Sequence, residues 1–255
     1  MPTQDQIDQF FEFAGRQLRR LIETHPDQFP MYTRQGRWNF DGEAWTNWCE
    51  GFLGGQLWLL HLHTGEPYWR EQAEHYSRLI APRRTDRSVH DLGFLFWPTW
   101  KRWFDLDGDP ALNAVVVEAG QTMALRFKQK GRYLRSFLAE DSLFIDIMMN
   151  VGIVFYAAQQ LNSADLLEVA TQHCLTTRKY LVRGDGSTAH EGIFDLETGD
   201  ATRDPIATGV VQKGTSCIDP RGYPLLVVGQ GIPTENEQGN NAAYVRVYSL
   251  ITGEE

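Results

Sequence analysis

The chain has 255 residues, of which 42% are hydrophobic and 22% charged, a composition typical of globular proteins and foreign to collagen, coiled coils and disordered chains. Its 33 acidic residues outnumber the 24 basic ones, giving a formal net charge of −9, and no block of basic residues occurs. We therefore expect neither nucleic acid nor an anionic membrane as a partner. The three cysteines are too few and too scattered for a disulfide framework or a zinc site.

The start of the chain has neither the positive nor the apolar segment of a secretory signal. The longest mainly apolar stretch, residues 147–158, is shorter than the roughly 18 residues that suggest a membrane span. We therefore expect a soluble protein of the cytoplasm with no membrane partner.

Apolar residues recur at spacings of three and four in most of the first 181 residues, which predicts a run of helices. The predicted helices are residues 5–24, 46–63, 67–80, 92–107, 110–127, 146–161 and 164–181. Gly51, Gly54 and Gly55 are poor helix formers inside the second of them. They predict that another part of the chain approaches this helix closely.

A short polar turn recurs between helices, at residues 64–67 (TGEP), 107–110 (DGDP) and, more loosely, 162–165 (NSAD). Proline is favoured in the first turn of a helix, where Pro67 and Pro110 would lie. The repeating unit is a helical hairpin with a period of roughly 40 to 55 residues, which predicts a solenoid or toroid.

Long connections separate the hairpins, at residues 81–90, 128–145 and 183–217, and function is expected there. The last of them predicts a small β-hairpin near residues 187–199, where a strand runs into a turn.

Four side chains at helix starts or on this predicted hairpin are candidates for chemistry: Trp48, Asp91, Asp146 and His190. Each has an ordinary explanation, which is helix capping for the aspartates, core packing for Trp48 and an exposed loop position for His190. Asp146, however, lies in the apolar run FIDIMMN, where loss of solvent would raise its pKa toward the value that a general acid needs. In a toroid these ends converge on one rim, and paired carboxylates there are typical of a carbohydrate site.

Five ordered motifs carry a resemblance to a known family. They are WxxGF from Trp48, HDLGF from His90, IDxMMN from Ile145, RGDGSTAH from Arg183 and FDxETG from Phe194. Over about residues 1–204 the chain resembles the unsaturated glucuronyl hydrolases, glycoside hydrolase family 88, and more distantly the unsaturated rhamnogalacturonyl hydrolases.

The resemblance implies an all-α fold, the (α/α)6 barrel of six helical hairpins. We expect residues 1–204 to form a partial toroid that lacks its closing helices, and residues 205–255 to be a divergent, poorly patterned segment of the same domain. Prolines and glycines after residue 204 argue against a continuing helix, and a short helical piece is predicted near residues 242–250. The missing closing helices have three alternative explanations: a truncated or frame-disrupted reading of a full enzyme, a dimer that completes the wall of the toroid, and an open, degraded relative.

The resemblance also implies an enzyme that releases a Δ4,5-unsaturated uronic acid from the non-reducing end of lyase-derived oligosaccharides by hydrating the double bond. Asp146 would protonate C4 and then deprotonate the water that attacks C5. Asp91 would hold substrate hydroxyls and help set the charge on Asp146. The implied substrate-binding residues are Trp48, His90, His190, Gln212 and Arg221. No metal or other cofactor is expected.

Two other functions stay open. An inverting glycosidase on the same toroid would act on saturated substrates. A non-catalytic toroid would bind sugar or protein through its aromatic rim. The sequence does not choose among glycosaminoglycan, gellan, xanthan, ulvan and pectin as the source of the oligosaccharide.

Overall fold

The computed structural model describes residues 2–42, 44–202, 216–218, 225–235 and 241–249, with side chains for 2–42 and 47–202. The chain divides into two compact units: Phe11–Ile206, and Met1–Phe10 together with Ala207–Glu255. Within the described part, no helix has the length and apolar character needed to cross a membrane.

Helices dominate the described residues before residue 182. They are α1 (Gln4–Thr24), α2 (Glu50–Thr64), α3 (Pro67–Leu79), α4 (Leu92–Phe96), α5 (Arg102–Asp107), α6 (Pro110–Ala124), α7 (Ile147–Asn150), α8 (Gly152–Leu161) and α9 (Ala164–Leu181). A π-helical turn, Trp97–Lys101, joins α4 to α5. Each predicted helix is confirmed, although those at 92–107 and 146–161 are built from consecutive segments.

The recurring turns end their helices in the same way. Gly65 (φ 72°), Gly108 (φ 68°) and Asn162 (φ 48°) all adopt the left-handed conformation that closes a helix. The amide of Gly65 donates to the carbonyl of His61 over 2.8 Å, and Gly108 makes the equivalent bond to Phe104. The predicted repeat of helical hairpins is therefore confirmed.

The glycines of α2 let α4 and the π-helical turn approach it closely. A Cβ at Gly51 would lie 2.0 Å from the carbonyl oxygen of Phe94, and one at Gly55 would lie 2.7 Å from the Cβ of Pro98. The close approach predicted from the sequence is confirmed. It fixes the start of α4, where Asp91 lies, against α2.

Short antiparallel strand pairs lie in the chain segments outside the helices. β1 (Tyr32–Arg34) pairs with β2 (Arg37–Asn39), and β3 (Phe127–Lys128) pairs with β4 (Tyr133–Leu134), each antiparallel. β5 (Ser142–Phe144) pairs antiparallel with β6 (Glu191–Ile193), so that Phe144 faces Glu191.

The strand predicted near residues 187–199 exists, but its partner differs from the expected one. The local hairpin is reduced to a bridge between Phe194 and Ala201 around the turn at Gly199 (φ 82°). β6 instead finds its partner in β5, about fifty residues earlier, because that pairing satisfies the backbone groups of two buried connections at once. This long-range pairing brings His190 beside the segment that leads to Asp146.

The second unit contains an antiparallel sheet of β7 (Ser216–Ile218), β8 (Leu225–Glu235) and β9 (Asn241–Ser249), in that spatial order. The helical piece predicted near residues 242–250 is wrong. Residues 244–248, YVRVY, alternate with the period of two that a strand requires and consist largely of β-branched and aromatic residues.

Candidate active site

Asp91 and Asp146 directly precede two helices, α4 and α7, and yet they do not cap them. Neither side chain accepts a hydrogen bond from the free amides of its helix. The ordinary explanation, helix capping, is therefore wrong for both residues. Their carboxylates are directed instead toward a shared neighbour.

That neighbour is His90, whose side chain is 1% exposed. Its Nε2 lies 3.1 Å from Oδ2 of Asp146 and 3.4 Å from Oδ1 of Asp91. The other ring nitrogen, Nδ1, accepts a hydrogen bond of 3.0 Å from the amide of Phe137. A nitrogen that accepts carries no proton, so the imidazole has its proton on Nε2 and donates it between the two carboxylates.

Asn150 locks α4 against α7 and was not among the predicted site residues. Its Oδ1 accepts from the amide of Phe94 over 2.8 Å, and its Nδ2 donates to Oδ1 of Asp91 over 3.3 Å. A Cβ at Gly93 would lie 2.6 Å from the Cα of Asn150, so the two helices touch there. The sequence carried a signal for this residue, because Asn150 is the last position of the IDxMMN motif, one turn after Asp146.

The two carboxylates differ in their access to solvent. Asp91 is 4% exposed, and burial raises its pKa to about 6, with the charge of Asp146 raising it further and His90 opposing the rise. The side chain of Asp146 is 32% exposed, so it is the member of the pair that a substrate can reach. Oδ1 of Asp146 is buried and, among the described residues, has no hydrogen-bond partner.

An aromatic cluster links His190 to this site. The ring of His190 lies 4.6 Å from that of Phe144, which in turn lies 6.0 Å from the ring of His90. The backbone carbonyl of His190 accepts from the amide of Ile145 over 3.0 Å. The pairing of β5 with β6 thus brings His190, expected from the sequence, to the side of His90 and Asp146.

Trp48 packs against residues of α2 and α4. Its ring is 5.6 Å from that of Phe94 and 5.6 Å from that of Phe52. It lines a largely apolar cleft of about 280 Å³ together with Met31, Trp38 and residues of α1 and α2. Half-buried and tilted against Phe94 of α4, Trp48 offers a ring face suited to a sugar. The two remaining predicted contacts, Gln212 and Arg221, lie outside the described residues.

The potential ligand atoms of His90, Asp91 and Asp146 all lie within 4.8 Å of one another, close enough to surround a cation. The histidine does not fit such a role in this arrangement. Metals bind the unprotonated nitrogen of an imidazole. Here Nδ1 already accepts from Phe137, and Nε2 carries the proton that faces the carboxylates.

Comparison with solved structures identifies the class of fold. Unsaturated glucuronyl hydrolase from Streptococcus agalactiae aligns with a TM-score of 0.75 at 22% identity, covering 83% of this chain and 55% of that one. The enzyme of the same name from Bacillus sp. GL1 aligns with a TM-score of 0.64 at 25% identity, covering 73% and 52%. The predicted all-α fold of helical hairpins, the barrel fold of these structures, is confirmed.

Curated relatives bear the corresponding names. The unsaturated chondroitin disaccharide hydrolase of Streptococcus pyogenes serotype M1 is 27% identical over 224 residues, which is 84% of this chain and 54% of the relative. The unsaturated glucuronyl hydrolase of Bacillus sp. (strain GL1) is 28% identical over 196 residues, or 72% and 51%. The chain thus spans about half the length of the curated relatives it matches. No protein-family model matches the sequence. The resemblance to unsaturated glucuronyl hydrolases is confirmed over most of the chain.

Proposed function

We propose that this chain carries the acid–base machinery of a glycoside hydrolase that removes a Δ4,5-unsaturated uronic acid from the non-reducing end of lyase-derived oligosaccharides. The observation that carries the proposal is the pair of carboxylates around His90, in which Asp146 is accessible and Asp91 is buried. The names of the relatives support the same reaction class.

In the proposed reaction Asp146 donates a proton to C4 of the unsaturated ring. The positive charge that develops at C5 is shared with the ring oxygen, which makes protonation of this vinyl ether feasible. Asp146, now a carboxylate, takes a proton from the water that adds to C5. The resulting hemiketal opens, and the bond to the remaining sugar is broken. One residue thus serves as acid and then as base.

The neighbours of Asp146 fit this cycle. The Nε2 proton of His90 stabilises the carboxylate that remains after Asp146 has given its proton away. Asp91 stays the second predicted catalytic residue, with its Oδ1 3.4 Å from the same Nε2 of His90. Trp48 and His190 are proposed to contact the sugar, and Gln212 and Arg221 stay predicted contacts.

The proposal extends to the unsaturated uronyl end of the substrate and not to a particular polysaccharide. One S. agalactiae relative, a variant with asparagine in place of an aspartate, was solved in complex with dGlcA-GalNAc6S at 25% identity and a TM-score of 0.62. Another relative is named for unsaturated chondroitin disaccharides. The unsaturated chondroitin disaccharide is therefore the first substrate to test.

The test follows the ultraviolet absorbance of the C4=C5 bond when the purified chain is mixed with this disaccharide. We expect the absorbance to fall with the wild-type chain and to stay constant with Asp146→Asn. Asp105→Asn is the matched control and should behave as the wild type. It changes an exposed aspartate of α5 that is paired with Lys101.

Three outcomes contradict the proposal. They are no loss of absorbance with the folded wild-type chain, binding of the disaccharide without its consumption, and cleavage of the saturated analogue alone. The last two support the binding module and the inverting glycosidase, respectively. The expected cytoplasmic location stays a prediction that cell fractionation checks.

A further inference from the structure

Arg126 lies just after α6, is 3% exposed, and occupies the space between two long connections of the chain. One connection leads into His90 and the other into Phe137. A buried guanidinium is costly unless its donors are satisfied, so its contacts indicate what it holds in place.

All the described hydrogen bonds of the Arg126 side chain go to backbone carbonyls of these two segments. Nη1 donates to Arg87 over 2.7 Å and to Val89 over 3.1 Å. Nε donates to Arg135 over 2.9 Å, and Nη2 donates to Ser136 over 2.5 Å. Burial lowers the pKa of Arg126 to about 10, so it stays charged near neutral pH.

The two segments that Arg126 contacts lead directly to the two partners of one hydrogen bond. Val89 immediately precedes His90, and Ser136 immediately precedes Phe137. The amide of Phe137 donates to Nδ1 of His90 and thereby places the ring proton on Nε2, toward the carboxylates. The spacing of the two segments therefore keeps the amide of Phe137 within reach of Nδ1, the contact that leaves the ring proton on Nε2 beside the carboxylates.

A second set of contacts holds the Phe137 segment from its other side. The hydroxyl of Ser136 lies 2.8 Å from that of Ser142, which donates to Oε1 of the buried Glu191 over 2.6 Å. Ser136 Oγ also accepts from the amide of Leu138 over 3.1 Å. With the segment anchored to β5 and β6 in this way, Arg126 sets its spacing from the segment before His90.

We propose that Arg126 is a positioning residue of the candidate active site. It fixes the two segments so that the amide of Phe137 selects the Nε2-protonated tautomer of His90, which bridges Asp91 and Asp146. The planar fork of a guanidinium can reach carbonyls on both segments at once, whereas a lysine ammonium offers a single point of donation. The catalytic part of this inference rests on the proposed function, but the tautomer does not.

The first test reads the tautomer directly, by long-range ¹H–¹⁵N NMR of the protein labelled in its seven histidines, near pH 7.5. The His90 signals are assigned by their loss in His90→Gln. In the wild type we expect one unprotonated and one protonated ring nitrogen, with Nε2 protonated. An Nδ1-protonated or averaged ring in the wild type overturns the proposal without any variant.

The second test compares Arg126→Met and Arg126→Lys with Leu112→Ala. Leu112 is a buried residue at the far end of α6, and its truncation destabilises the fold without touching the site. We expect averaged His90 nitrogen signals in both Arg126 variants and a fixed tautomer in Leu112→Ala. If Arg126→Met does not fold, the comparison with Leu112→Ala rests on Arg126→Lys, which keeps the buried charge.

Turnover of the unsaturated disaccharide gives the catalytic readout. We expect kcat of Arg126→Lys to fall about tenfold or more with KM little changed, because small displacements of catalytic groups cost rate rather than binding. An unchanged His90 tautomer in Arg126→Lys, or a kcat no lower than that of Leu112→Ala, overturns the positioning role. If the wild type shows no turnover, the proposed function fails, while the NMR result still tests whether Arg126 fixes the tautomer of His90.

Discussion

Nε2 of His90 lies 3.1 Å from Oδ2 of Asp146, although the two residues are 56 positions apart in the chain. This contact joins the start of α4 to the start of α7 and ties the accessible carboxylate to the buried one beside it. His90 itself is 1% exposed, so its ring acts on the two aspartates more directly than on any ligand from solvent. The resemblance implied a substrate contact at this position, and the geometry favours a positioning role.

Variants of His90 separate these two roles. His90→Gln keeps a donor near Nε2, whereas His90→Leu removes the donor shared by the two carboxylates and the acceptor of the Phe137 amide, leaving Asp91 its bond from Asn150. We expect His90→Leu to lower kcat about a hundredfold, His90→Gln to lower it less, and both to change KM little. Steady-state kinetics on the unsaturated disaccharide measure this. A rise in KM at constant kcat would instead identify His90 as a substrate contact.

The raised pKa of Asp91 predicts a pH-dependent stability. Its folded value of about 6 lies above the ordinary value of 3.8, so the folded protein binds the proton more tightly than the unfolded chain does. That contribution is full below about pH 4 and is lost as the pH rises through 6, which destabilises the fold by up to about 3 kcal/mol.

Asp91→Asn removes this loss, because the amide does not ionise. Relative to the wild type, the variant should therefore gain stability between pH 4.5 and pH 7.5, as measured by urea unfolding at both values. Asp105→Asn, which alters an exposed carboxylate, is the control and should show no such gain. A stability difference between Asp91→Asn and the wild type that does not change with pH contradicts the raised pKa.

Alanine substitutions at two glycines are predicted to have opposite effects on stability, because Gly51 lies in the contact between α2 and α4 and Gly152 lies in open space. Gly51→Ala places a methyl group 2.0 Å from the carbonyl oxygen of Phe94, and we expect it to cost about 3 kcal/mol because rigid backbone must move. Gly152→Ala, at the start of α8, meets nothing within 4 Å and should stabilise the fold by up to about 1 kcal/mol. Thermal and urea unfolding of the two variants check the sign of each effect.

The tautomer of His90 predicts an enzyme that tolerates chelators. With Nδ1 engaged by Phe137 and Nε2 protonated, the imidazole has no free lone pair for a cation. Incubation with EDTA followed by gel filtration should leave both turnover and the melting temperature unchanged. Loss of turnover that Zn²⁺ or Mn²⁺ restores would show that the three side chains rearrange around a metal.

The helices and the turns between them follow from local sequence. Pro67, Pro110 and the left-handed Gly65 and Gly108 act within a few residues of their own position, and the apolar spacing of each helix is complete within it. The strand that contains Glu191 was also predicted, but its partner was not. Its partner in β5 lies far away in the sequence, and no local signal specifies which distant edge a strand will meet.

The candidate site was predicted in part. Asp91, Asp146, Trp48 and His190 were identified from their positions and motifs, yet capping explained the aspartates equally well. Only the positions of the side chains distinguish a cap from an active-site pair. Arg126 gave no signal, because a single arginine after a helix is ordinary until its four carbonyl partners come together.

The sequence by itself determined the helical hairpins, their turns, the close approach to α2 and the resemblance to unsaturated glucuronyl hydrolases. These depend on periodicity, on φ preferences and on ordered motifs, all of which are local. The tertiary structure decided that His90 bridges Asp91 and Asp146, that Asp91 is the buried member, and that Arg126 and Phe137 fix the imidazole. Burial and hydrogen bonding between residues dozens of positions apart depend on how the hairpins pack, and that packing is a property of the whole fold.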